Sequence, residues 1–306
     1  MRSPRCPTPL TKREFGQFLA VAFALGYVPA LAIGAGTAAV GLALSFLIAF
    51  SPALATLTSG AARRAARGSL RRPRGRWVLI GIAVGWGLHL TQVVVFAAAG
   101  LAQWDHVRFP LARDGSGLER ADQIHSVLGD GRQPWALFVF NLLASWALPA
   151  FVDGLTWAIG EELGWRAVLQ PELERRWGLV RGTVATGLIW AAWHLPVKFG
   201  ADDTLPTVAS TLLFFSANTI ASAFAFGWLT RRAGSVWPAS FAHAAHNATV
   251  GRSFLILPGA AWSTGAYHLV ANLAFGGLFA YLSARQARGV AAAPAGAAEG
   301  YSSPAS

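Results

Sequence analysis

A single cysteine, Cys6, stands among the 306 residues, and it lies in a polar N-terminal stretch. That excludes an internal disulfide and any zinc site built on several cysteines. Lysine is almost as scarce: Lys12 and Lys198 are the only two, against 23 arginines. Charged residues of both signs make up 13% of the chain, about half of what a soluble domain carries. A nucleic-acid-binding face needs a polar domain to display its cations, and here the arginines sit in short clusters between apolar runs, which argues against a nucleic-acid partner. No HExxH string occurs, so the two-histidine helical zinc motif is absent.

What the chain has is apolar length. Hydrophobic residues make up 54% of it, and the mean hydropathy is +0.44. Apolar runs fall near 15–34, 36–57, 77–102, 135–158, 183–200, 206–229, 235–258 and 262–284. Most approach the roughly 20 residues that cross a bilayer as a helix. The pattern predicts an all-α fold, a polytopic membrane helix bundle of about eight transmembrane helices. "GAGT" at 34–37 separates the first two runs, and one long helix there is the competing count. "KR" before the first run imitates a signal peptide, but seven further runs favour its retention as a span.

The arginines orient the bundle. With the N-terminus inside, 19 of the 25 basic residues fall on the cytoplasmic side, the largest cluster running from Arg63 to Arg76. Most of the others share an outer loop with Asp105, Asp114, Glu119, Asp122 and Asp130. This asymmetry predicts a multi-pass cell-membrane protein with both termini cytoplasmic, whose basic loop 61–76 can also meet anionic headgroups of the lipid bilayer. The expected organisation is a cytoplasmic tail at 1–14 and N-terminal spans over 15–134, with the basic loop at 61–76 and an outer polar loop at 103–134. A core follows at 135–258, then a last span at 259–288 and a disordered tail at 289–306.

Ionisable groups at membrane depth cost roughly 2.5 to 3.5 kcal/mol at a helix centre and so want a partner or a task. In "GEELGWR", 160–166, a helix sets Glu162 and Arg166 at i and i+4 on one face, the favoured order for an ion pair. Glu161 is then rotated about 100° away, free to act as a base on water. In "LIWAAWHLP", Trp190 stands one turn before His194. In "SFAHAAHNATV", His243 and Asn247 share a stripe, His246 flanks it, and Ala242, Ala244 and Ala245 let another helix approach. Each motif alone also reads as packing or an interfacial helix end. His89 and His268 read as structural, and Asp153 as a group bonded to a neighbouring helix. Pro149, Gly154 and Pro196 mark places where the carrying helices bend or break. Together the three segments supply a carboxylate, an imidazole, and an imidazole with a carboxamide, the groups that amide hydrolysis needs to activate water and hold an oxyanion.

EExxxR at Glu161, Glu162 and Arg166, an aromatic four residues before a histidine at Trp190 and His194, and HxxxN at His243 and Asn247, in this order, resemble the CPBP intramembrane protease family. That family, also called Abi, includes the type II CAAX prenyl endopeptidases, and the resemblance covers residues 135–258. It implies an intramembrane endopeptidase acting on peptide or protein substrates in or near the membrane. Glu161 would be the principal catalytic carboxylate with help from His243, His194 and Asn247 would steady the oxyanion, and Glu162, Arg166 and Trp190 would support them. A metal-dependent reading of the same residues makes Glu161, His194 and His243 ligands of a divalent metal such as zinc; the metal-free glutamate mechanism ranks ahead of it because the spacing is not that of HExxH.

Other membrane proteases fit less well. The one "GSG", 115–117, lies in the polar loop, neither lysine neighbours a site, and Asp153 is the sole aspartate in an apolar run. The alternative is a non-enzymatic membrane protein, either a proton-coupled transporter or an immunity or partner-binding factor.

Overall fold

The computed structural model describes residues 9–32, 37–104, 135–199, 203–251, 255–257 and 262–291. Its helices are α1 Lys12–Ala32, α2 Ala38–Ala55, α3 Gly60–Ser69, α4 Gly75–Ala98, α5 Trp135–Leu155, α6 Trp157–Gly164, α7 Gln170–Trp177, α8 Leu179–Trp193, α9 Leu195–Lys198, α10 Leu205–Ala233, α11 Trp237–Gly251 and α12 Gly265–Ala291. A two-residue strand β1, Gln103–Trp104, pairs antiparallel with β2, Leu255–Ile256. The fold is an all-α polytopic bundle, as the apolar runs predict, and each run carries one of the helices α1, α2, α4, α5, α8, α10, α11 and α12. Most of the outer loop at 103–134, the ends of both tails and "GAG" at 34–36 lie outside the described residues.

Among the described residues five helical segments are long and apolar enough to cross a membrane: Lys12–Ala32, Ala39–Thr58, Gly75–Ala98, Leu205–Ala233 and Gly265–Arg288. The count of eight spans is not reached by length. Helices α8 and α11 have 15 residues each, ~22 Å at the rise of an α-helix, which falls short of the ~30 Å hydrocarbon core. Both are wrapped by longer helices. Outward-facing Leu31, Leu205 and Leu273 are 71 to 85% exposed, an apolar belt suited to lipid, whereas Phe18, Leu88, Trp165, Phe226 and Leu229 are buried in the middle.

Lipid tails are as apolar as leucine, so these helices associate through close packing and polar contacts rather than through the hydrophobic effect. Two pairs of glycines at i and i+4 provide close approaches. On α4, a Cβ at Gly81 or Gly85 would run into the backbone of Pro238 or Ala242 on α11. On α6, Gly160 and Gly164 lie against Ala49, Phe50 and Pro52 of α2. The second pair brackets Glu161 and Glu162, and with that face of α6 pressed on α2 both carboxylates are buried in the bundle.

One end of the bundle is tied by polar contacts. Arg231, at the end of α10, bonds both carboxylate oxygens of Glu174 on α7, at 2.7 and 2.9 Å, and Ser283 of α12 at 2.7 Å. Ser235 donates to the Arg71 carbonyl, and the Val236 amide to Ser69. Glu172 gathers Arg175, Arg176 and the Leu10 amide. Helix α7, the ends of α3 and α10, the start of α11, Ser283 of α12 and Leu10 are thereby held together.

Candidate active site

The fourth apolar run breaks, as its helix breakers suggest, but at Thr156 rather than at Pro149 or Gly154. Its backbone is distorted to φ −118° and ψ −76°, and its hydroxyl folds back on the Val152 carbonyl at 2.8 Å. The new helix, α6, carries Glu161 and Glu162. Directly after it the chain widens into one π-helical turn, Trp165–Leu169, closed by the Gln170 amide on the Trp165 carbonyl. Such turns recur at functional sites, and this one carries Arg166.

Glu162 is fully buried and serves two partners. Its Oε2 lies 3.1 Å from Nε of Arg166, and its Oε1 accepts from Nδ1 of His243 at 3.1 Å. The Arg166 contact is an ion pair without hydrogen-bond alignment, and among the described residues none of the guanidinium nitrogens has a hydrogen-bond acceptor. The cation is instead sandwiched by rings, 4.5 Å from the centroid of Trp190 and 5.4 Å from that of Phe226, an arrangement worth about 0.5 to 2 kcal/mol per ring when desolvated.

Trp190, near the end of α8, joins the three motifs. Its indole N–H donates to Oε2 of Glu161 at 2.7 Å. Its ring faces Arg166 and stands edge-on to His243, centroids 5.2 Å apart. Its carbonyl accepts from Nδ1 of His194 at 2.8 Å. A carbonyl only accepts, so His194 carries its proton on Nδ1 and keeps Nε2 for the cavity. His194 closes α8, with Pro196 in the first turn of α9, and its ring meets Trp193 and Phe215 edge-on at 4.8 and 5.2 Å.

Two cavities meet at this cluster. The larger, about 590 Å³, is lined by Glu161, Trp190, His194 and His243, and beyond them by residues of α10 and α12. The smaller, about 260 Å³, lies between α2, α5 and α11 and includes Asp153 and Trp157. Glu161, His243 and Asn247 line both. Asn247 is exposed to this space, one turn beyond the buried His243.

The structure therefore brings Glu161, Glu162, Arg166, Trp190, His194, His243 and Asn247 to one place, but with a different division between the glutamates. Glu161 is held by Trp190 rather than unpaired, and the carboxylate that bonds Nδ1 of His243 is Glu162. Oε1 of Glu161 has no hydrogen-bond partner among the described residues. His268 and His246, read from the sequence as structural or flanking, line the larger cavity, as do Gln92, Lys198, Asn218 and Asn272. Nothing in their local spacing marks these four, because α4, α9, α10 and α12 each contribute them singly. Among the described residues no three His, Cys, Asp or Glu side chains converge closely enough to hold a metal ion, so Glu161, His194 and His243 do not fit a shared ligand role in this arrangement.

Membrane-crossing helices thus surround an internal cavity lined by a carboxylate and imidazoles. Residues 142–249 match the family described as type II CAAX prenyl endopeptidase Rce1-like. Over that stretch the chain is similar to the CAAX-type membrane proteases. No curated protein matches it.

Proposed function

We propose that the protein is an intramembrane endopeptidase in which Glu161 activates the attacking water. The observation that carries this reading is that Glu161, His243 and Asn247 line both cavities at their junction. A peptide amide held there would have its carbonyl carbon beside the free Oε1 of Glu161. Glu161 takes a proton from water as the water oxygen bonds to that carbon, and the carbonyl π electrons pass to oxygen. The Asn247 carboxamide donates to the resulting oxyanion without any change of protonation; Nε2 of His194 donates only when the ring is cationic, since Nδ1 is already committed. The proton on Glu161 then passes to the amide nitrogen, the C–N bond breaks, and an acid and an amine leave.

His243 holds a position beside Glu161 with Nδ1–H on Glu162, which leaves Nε2 to accept from the same water. Glu162, Arg166 and Trp190 act as positioning groups. The test is cleavage of a peptide library by purified protein, with and without chelator, beside Glu161→Ala. Cleavage lost in a folded Glu161→Ala protein supports the reading, and retained cleavage overturns it. Activity lost on chelation and restored by zinc would transfer the chemistry to a metal. A transporter using the same groups would instead show substrate-coupled proton flux in liposomes.

A further inference from the structure

Seven arginines fall between Arg63 and Arg76, and all seven are exposed. None of them forms an ion pair among the described residues. Glu172 and Glu174, at the same end of the bundle, are already committed to Arg175, Arg176 and Arg231. Within α3, Arg63 and Arg67 stand at i and i+4 and Arg64 and Arg67 at i and i+3, spacings at which like charges repel. Arg63 also lies in the first turn, where the helix dipole disfavours a cation. A further pair converges from two helices: Arg76, at the start of α4, and Arg232, at the end of α10, approach one ring, 5.8 and 6.0 Å from the centroid of Trp77. Like charges gathered without a counter-ion from the chain take one from outside.

The place of α3 says what supplies it. The helix joins two membrane-crossing segments, Ala39–Thr58 and Gly75–Ala98, and so lies at the level of the lipid headgroups. Its other face is apolar: Ala61, Ala62 and Ala66 are buried, and α3 packs on the π-helical turn Trp165–Leu169 and on α6. The turn that follows α3 is fastened to the start of α11. The Val236 amide donates to the Ser69 carbonyl at 2.9 Å, the Trp237 indole to Leu70 at 3.3 Å, and the Ser235 hydroxyl to Arg71 at 2.7 Å. The arginine segment thus touches the elements that carry Glu161, Arg166 and His243.

We propose that Arg63–Arg76, with Arg232, form a binding surface for anionic phospholipids, and that headgroups held there brace α6, the π-helical turn and α11. Guanidinium groups meet phosphate oxygens through paired N–H bonds. Each arginine near an anionic surface strengthens attachment about fivefold, and salt screens the effect. The lipid surface stands on charge and packing alone. Its effect on cleavage, faster in anionic than in zwitterionic bilayers, rests on the peptidase reading above.

The test needs no assay of cleavage. Full-length protein in neutral detergent is titrated with phosphatidylglycerol, phosphatidylcholine or inorganic phosphate, and thermal unfolding is followed by tryptophan fluorescence. The expected result is a melting temperature that rises by several degrees with phosphatidylglycerol alone, because a ligand of the folded state stabilises it. The rise shrinks at high salt, is reduced in Arg63→Gln/Arg67→Gln and is lost in Arg72→Gln/Arg74→Gln/Arg76→Gln, while Arg285→Gln/Arg288→Gln on α12 retains it. Amide hydrogen exchange over 157–169 slows several-fold with phosphatidylglycerol in the parent and not in the triple variant. An equal rise with phosphatidylcholine or inorganic phosphate, or one that both arginine variants of 63–76 keep in full, overturns the lipid surface. A rise without slower exchange at 157–169 overturns the bracing. Where both effects appear and no peptide is cleaved, the inference stands and the peptidase reading fails.

Discussion

Adjacent glutamates in different surroundings make an exacting comparison, Glu161→Gln against Glu162→Gln. The change removes a charge at constant shape, and after Glu162→Gln the new amide oxygen still accepts from Nδ1 of His243. What is lost at 162 is the counter-charge of Arg166, whose side chain is fully buried and has no hydrogen-bond acceptor among the described residues. Removing one partner of a buried pair costs about 3 to 5 kcal/mol. Trp190 and Phe226 keep their hold on the cation and put the expected loss towards the lower figure. At ~2 to 4 °C per kcal/mol, the melting temperature falls by on the order of 10 °C. Glu161→Gln leaves that pair intact and melts within a few degrees of the parent, yet loses cleavage. Thermal unfolding in detergent, followed by tryptophan fluorescence, reads the first effect and peptide cleavage the second. Glu162→Gln with Arg166→Met recovers most of the stability, because both charges are then gone. If Glu162→Gln melts like the parent and is inactive while Glu161→Gln cleaves, the division of labour between the glutamates is wrong.

Trp190→Phe keeps a ring beside Arg166 and His243 but deletes the N–H that holds Glu161, and a hydrogen bond to a charged group is worth ~1.5 to 3 kcal/mol. The expected outcome is a fall of roughly 10- to 100-fold in kcat/KM with the protein still folded, and an unchanged rate means that the indole does not orient the carboxylate. Asn247→Ala should lower kcat by about 100- to 1000-fold with little change in KM if its carboxamide meets the oxyanion, whereas a loss confined to KM assigns it to substrate binding. Gly85→Val forces α4 away from the α11 backbone at Ala242, so both melting temperature and cleavage drop, and Gly87→Val, with only the edge of Phe275 nearby, serves as the tolerated control.

The spans were legible because a bilayer imposes a length that few soluble segments imitate, and the Glu162–Arg166 pair because its spacing is local. Helices α8 and α11 showed their apolar character but not their shortness, which comes from enclosure by longer neighbours. The bond from Trp190 to Glu161 joins residues 29 apart on different helices, and no periodicity announces it. The break at Thr156 has a similar origin: Pro149 sits inside α5 without ending it, while packing of Gly160 and Gly164 on α2 sets where α6 must point. Asn218 and Asn272, bonded at 3.3 Å across 54 residues, became cavity residues only once α10 and α12 lay side by side.

The double engagement of Glu162 also decides where the site's imbalance of charge resides. Two carboxylates and one guanidinium are enclosed together, and with neutral imidazoles the set carries one surplus negative charge. Glu162 is neutralised on both sides, by Arg166 and by the N–H of His243, so the surplus falls on Glu161, whose second oxygen opens on the cavities. The oxygen of Glu161 that Trp190 leaves free is the part of this carboxylate pair that an arriving water molecule meets.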